Sequence, residues 1–149
     1  MPTPFESATL ILKLFEIRRD PVLREARQWF LSDFNPVTWE ECSAIIGSER
    51  NASFRMVIGY WEMAASLVSH GAIDVDMFRA ANNEIVATFA KIQPFLEQLR
   101  TARSAPNFCV HMETLVMSVP GAAELLELRR RQFRSAAEKR AAAQRQPPS

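Results

Sequence analysis

Few residues in this chain are equipped for chemistry. Cys109-x-His111-x-Glu113 sets a thiol, an imidazole and a carboxylate at alternating positions. On a strand these side chains would converge, but on a helix they point three ways. With Cys42 and His70 as the only other cysteine and histidine, there is no ligand quartet, no His-Glu-x-x-His and no Glu-x-x-His pair. No metal and no cofactor is expected. Gly-x-Ser-x-Gly and glycine-rich phosphate cradles are missing as well, and 4 glycines leave little from which to build them. Carboxylate pairs occur at Glu40/Glu41, Asp74/Asp76 and Glu124/Glu127. Each falls in the first turn of an expected helix, where negative charge offsets the macrodipole, so capping explains them better than an acid/base dyad. No catalytic residue stands out, and the sequence leans away from an enzyme.

Glu62 is the carboxylate that capping does not explain. It lies mid-helix between Trp61 and Met63, in the segment with the most apolar surroundings. A carboxylate taken out of water needs an arginine, backbone amides or a pocket. Arg55, two turns earlier on the same face, and Arg100, on a later helix, are its candidate partners. The expected arrangement is a buried ion pair; the alternative is a small-molecule pocket around a carboxylate of raised pKa. Asn82 is a second candidate, the polar member of an otherwise apolar series Val75, Phe78, Ile85, Phe89 and Ile92. In that position a polar residue fixes register between helices.

A third group is cationic: Arg129, Arg130, Arg131, Arg134, Lys139, Arg140 and Arg145. The formal net charge is only +1, but it is a cancellation. Residues 1–128 hold 11 Lys+Arg and 16 Asp+Glu, a net −5, while residues 129–149 hold 7 and 1, a net +6. An acidic body with a basic end can meet an acidic protein surface, or phosphates with a salt-dependent affinity. One aromatic, Phe133, and no base-stacking pattern weigh against nucleic acid.

The elements that position these residues are helices. Phe5, Ala8, Leu12 and Phe15 form a stripe on a first helix from Pro4 to Ile17. Asp20-Pro21 opens a second, with Leu23, Ala26 and Phe30 inward and Arg24, Arg27 and Gln28 outward. Thr38 and Glu41 have capping-box spacing before a short third helix that Gly47 stops. A fourth, from Asn51 to His70, is apolar around most of its circumference and is expected to be the enclosed central helix. Gly59 inside it costs up to about 1 kcal/mol relative to alanine, which suggests a helix passing close by. Gly71 and Asp74 lead into a fifth helix, read as continuous to Pro94. Further helical segments surround Leu96–Leu99 and Phe108–Val119. The last, from about Ala122 to Gln144, runs out of core residues after Phe133 and is expected to protrude before fraying at Pro147-Pro148-Ser149.

Length and composition agree. With 149 residues the chain makes one domain. Hydrophobic content of 48% supplies a core, and the wealth of Ala, Leu, Glu and Arg excludes collagen-like, disordered and many-turned β chains. No apolar stretch is long and uncharged enough to cross a bilayer. Two cysteines without Cys-x-x-Cys spacing read as reduced thiols, which makes the cytoplasm the expected location.

Tyr60-Trp61-Glu62-Met63-Ala64-Ala65, then Gly71-Ala72-Ile73-Asp74 and Phe78, with Pro94 and Arg100 further on, resemble an uncharacterised bacterial family of small all-helical proteins, a domain of unknown function. The resemblance covers about residues 50–103. It implies a helical fold and a Glu62–Arg100 pairing, and it implies no reaction.

The expectation is therefore an all-α single-domain bundle of six to eight helices. Residues 1–128 form its body, and residues 129–149 a basic helical extension with a short disordered tail. Its expected work is non-enzymatic: a protein-interaction or regulatory module with a protein partner or a second copy, and no membrane. Nucleic-acid binding through the basic helix is the alternative.

Overall fold

The computed structural model describes residues 1–148 as helices joined by short turns, with no strand among the described residues. They are α1 (Pro4–Ile17), α2 (Pro21–Ser32), α3 (Trp39–Ile46), α4 (Asn51–Ser69), α5 (Val75–Ala81), α6 (Glu84–Ile92), α7 (Leu96–Ala102), α8 (Val110–Met117) and α9 (Ala122–Arg145). A 3-10 turn over Gln93–Phe95 carries Pro94 between α6 and α7. Of the tail expected to fray, Ser149 lies outside the described residues.

Side chains close in sequence set most helix starts. Asp20 Oδ1 accepts from the amides of Val22 and Leu23 at the head of α2, and Asp74 Oδ1 from Met77 at the head of α5. Thr38 accepts from the Glu41 amide, but Glu41 reaches back to the Val37 amide rather than to Thr38, so only half of the expected capping box forms. Gly71 and Gly121 take φ of +79° and +74°, a region in which a side chain is strained.

The core is built around α4. It buries Phe54, Val57, Ile58, Tyr60, Trp61, Ala64 and Ala65, and it packs against α2, α3 and α8. Trp29, Phe30, Phe34 and Phe54 form an aromatic cluster at the α2–α4 contact, with the Phe30 and Phe34 rings stacked 4.9 Å apart. Each such ring contributes roughly 1.5–3 kcal/mol by burial.

Four expectations are corrected. First, α1 is turned the other way: Ser7, Ile11 and Leu14 face the body, while Phe5, Leu12 and Phe15 face solvent. Second, the helix read as continuous from Asp74 to Pro94 breaks at Asn82-Asn83. Third, Arg27 points inward, to Glu84. Fourth, the last helix, expected to protrude once past Phe133, still meets the body at Arg140. α9 is one uninterrupted helix across residue 129, and it lies along α6 and α2. Phe133 packs over Lys91, and Arg140 reaches the Ser32 carbonyl. The turn from Ala141 to Arg145 is exposed.

Lys91 holds this contact together. Only 7% exposed, its Nζ lies 2.8 Å from the carbonyls of Phe30 and Leu31, 2.9 Å from that of Phe34 and 3.0 Å from Asn35 Oδ1. A cation from α6 thus serves the carbonyl end of α2, where the peptide dipoles favour positive charge. Phe133 closes over the ammonium at 4.2 Å from its ring centre. Burial pushes the Lys91 pKa down from 10.5 to about 7; Arg140 adds to the shift and Asp33 opposes it. Between those values the unfolded chain carries the extra proton, so stability rises with pH. The unfolding free energy is expected to climb from about pH 7 to about 8.5, before unfolded thiols ionise. Lys91→Met should lack that rise and lose about 2–4 kcal/mol, because buried carbonyls are left unpaired. Urea titrations across this pH range measure both effects.

Candidate functional site

Glu62 stands on the face of α4 that meets α8. Its Oε1 accepts from the amides of His111 and Met112, at 2.8 and 3.0 Å. These are among the amides that the first turn of α8 leaves without helical partners. The cap is needed because the residue before α8 is Cys109, held at φ 60°, whose side chain makes no capping bond. Burial raises the Glu62 pKa, while the Met112 and His111 amides and the Arg100 charge pull it down.

The expected ion pair is absent. Arg100 gives its Nε to the Phe108 carbonyl and its Nη2 to Glu113, each at 3.0 Å, and so ties α7 to the head of α8 without touching Glu62. Arg55 is exposed and meets no carboxylate among the described residues. Of the three partners a buried carboxylate can take, backbone amides hold this one. Arg55 and Glu62 nevertheless share a hollow of about 200 Å³, lined also by Phe54, Ile58, Gly59, Arg103, Phe108 and Cys109. Gly59 faces that space: a Cβ placed there would meet nothing within 4 Å, so no helix passes close by, contrary to expectation.

Cys109 is buried, and burial lifts its thiol pKa to about 12, with the Glu62 charge adding to the effect. Cys42 is buried too and raised to about 11. Neither thiol is activated as a nucleophile. The rings of His70 and His111 lie 5.3 Å apart, but among the described residues no three His, Cys, Asp or Glu side chains gather as a metal site.

Asn82 does not set register between helices, because the seam it belonged to is interrupted there. It ends α5, donates to the Phe78 carbonyl at 3.0 Å, and accepts from Arg18 at 3.3 Å. It borders a polar cluster that sequence reasoning missed. Glu84, in the first turn of α6, takes Arg18 at 3.0 Å and the Nε of Arg27 at 2.8 Å. Tyr60 donates to the Leu14 carbonyl at 2.7 Å nearby. An acid in a first turn was a visible signal; two arginines from other helices were not.

The seven cations of the basic segment divide. Arg130 bonds the Ala90 carbonyl, Gln93 and Glu127; Arg134 pairs with Glu127; Arg129 meets Gln132; Arg140 takes the Ser32 carbonyl. Arg131, Lys139 and Arg145 make no side-chain hydrogen bond or ion pair among the described residues.

Residues 4–119, from α1 through α8, match the family described as Domain of unknown function (DUF4760). The chain belongs to this family. The match extends well beyond the stretch around Glu62 that carries the resemblance, and α9 lies outside the matched residues. No curated protein and no solved structure matches the chain.

Within the family domain, Glu62 is a positioning residue for α8. Glu62→Ala is expected to cost about 1–2 kcal/mol and to speed amide exchange at His111 and Met112, since two amides lose their acceptor. Arg55→Ala should stay within about 0.5 kcal/mol of the parent. Chemical denaturation with hydrogen exchange on both variants checks the contrast.

Proposed function

We propose that this chain is a non-enzymatic helical interaction module that pairs with a second copy of itself through the outer face of α1. The observation that carries the reading is the solvent-facing stripe of that helix, with Phe5 80%, Leu12 68% and Phe15 37% exposed. Contiguous apolar surface of this kind marks association sites.

The spacing of the stripe favours another helix. Phe5, Ala8, Leu12 and Phe15 recur at intervals of three, four and three, the geometry of a coiled-coil seam. An antiparallel pairing about a two-fold axis near the middle of α1 sets Ala8 against the other copy's Leu12 and Phe5 against its Phe15. The small residue then faces the large one, and Glu16 falls beside the positive N-terminal end of the opposing helix. Among the described residues no helix is long and apolar enough to cross a membrane. Two buried unpaired thiols, Cys42 and Cys109, suit a reducing compartment, and we place the module in the cytoplasm.

Size-exclusion chromatography with light scattering tests the reading. The full chain is expected to run as a dimer, and Leu12→Glu as a folded monomer with unchanged circular dichroism. A monomeric parent at high micromolar concentration, or a dimer that survives both Leu12→Glu and Phe5→Glu, would falsify it.

A further inference from the structure

Three features that each lower stability meet around the hollow beside Glu62. Gly59 lies inside α4, where alanine would be better by about 1 kcal/mol and where an added Cβ would meet nothing. Ser104 and Cys109 hold φ of 51° and 60° with side chains present, the only non-glycine residues of positive φ among those described. Backbone strain of this order, about 1–3 kcal/mol per residue, gathers at ligand clamps. The two strained residues bracket the loop that supplies Phe108 and Cys109 to the wall. No packing requirement explains Gly59, whose Cβ position opens onto the hollow.

The lining defines an occupant. Phe54, Ile58 and Phe108 give apolar walls, and a volume of about 200 Å³ is close to the ~150 Å³ of a cavity that takes a benzene ring. Two arginines also line the hollow. Arg103 stands over the rings of Phe54 and Phe108, its guanidinium carbon 5.7 and 5.0 Å from their centres. Like Arg55, it meets no carboxylate among the described residues. The one acid of the lining, Glu62, has Oε1 engaged by the α8 amides. A guanidinium held against aromatic faces with no anion of its own is suited to a carboxylate.

We infer that the hollow between α4 and the Ser104–Cys109 loop binds a small organic carboxylate, a ring-sized apolar group seated against Gly59 and the carboxylate held by Arg103 and Arg55. Glu62 positions α8 and the adjoining end of the loop without contacting the ligand's charge. The hollow shares no residue with the α1 stripe, so the two readings fail independently.

The probe is benzoate, titrated into the full chain and followed by calorimetry and NMR, with benzamide and inorganic phosphate as controls. Saturable benzoate binding in the millimolar range or tighter is expected, with both controls at least about tenfold weaker, because one lacks the charge and the other the ring. Arg103→Gln should weaken benzoate about tenfold or more. Gly59→Leu fills the hollow while raising helix propensity, so it should keep or raise Tm and abolish binding. Gly59→Ala is the milder version should leucine disturb the fold. No saturable benzoate binding by the parent, phosphate binding as tightly, or undiminished binding by folded Gly59→Leu would each overturn the assignment.

Discussion

A small body made of short helices has many helix ends to satisfy, and each end presents backbone groups without partners. Several of these helices span only seven to nine residues, so their ends are not peripheral details but a large share of the backbone. Lys91 and the half-buried Glu62 answer this constraint across the fold, and a third charge, Glu84, is fixed at the start of a helix. Lys91 of α6 serves the carbonyl end of α2, Glu62 of α4 serves the amide end of α8, and Glu84, in the first turn of α6, is held by Arg18 and Arg27. Each charge has the sign that the local peptide dipoles favour. Charged side chains therefore fix the directions of these helix ends, beside the packing of the apolar core.

This division explains what could be read from the chain. Caps made within a few residues were legible: Asp20, Thr38 and Asp74 all accept from the amides their positions imply. Caps made across the fold were not. The partners of Glu62 lie 49 and 50 positions away, and those of Lys91 lie 56 to 61 positions away. Nothing in local spacing announces them. Lys91 in particular looks like an ordinary solvent-facing lysine until the end of α2 is brought against it. The expectation for Glu62 named backbone amides among its possible partners, yet the arginines drew the reading because charge pairs are visible in sequence and free amides are not.

Periodicity failed in two instructive places. α1 carries two apolar series, Ile11–Leu14 and Phe5–Leu12–Phe15, and the helical period cannot say which one faces the body. Tyr60 and the α5 side of the fold select the first, through the bonds to the Leu14 carbonyl and from the Asp74 amide to the Ser7 hydroxyl. In the series from Val75 to Ile92, apolar spacing continues straight across Asn82-Asn83, although the backbone turns there. Two consecutive asparagines compete with the helix for hydrogen bonds, a local signal that the long-range pattern obscured.

The charge asymmetry is the feature whose meaning the structure alters most. An acidic body of −5 and a basic segment of +6 invite the picture of two surfaces joined by ion pairs. Yet α9 makes its cross-helix contacts largely through body carbonyls, of Ala90 and Ser32, while its own Glu127 takes Arg130 and Arg134. Three of the body's acids pair with body arginines instead: Glu84 with two of them, Glu113 with Arg100, Glu25 with Arg50. Charge therefore does not choose where α9 lies. Phe133 over Lys91 and the arginine bonds to α6 and α2 carbonyls do, and carbonyl bonds of this kind are screened by salt far less than an exposed ion pair.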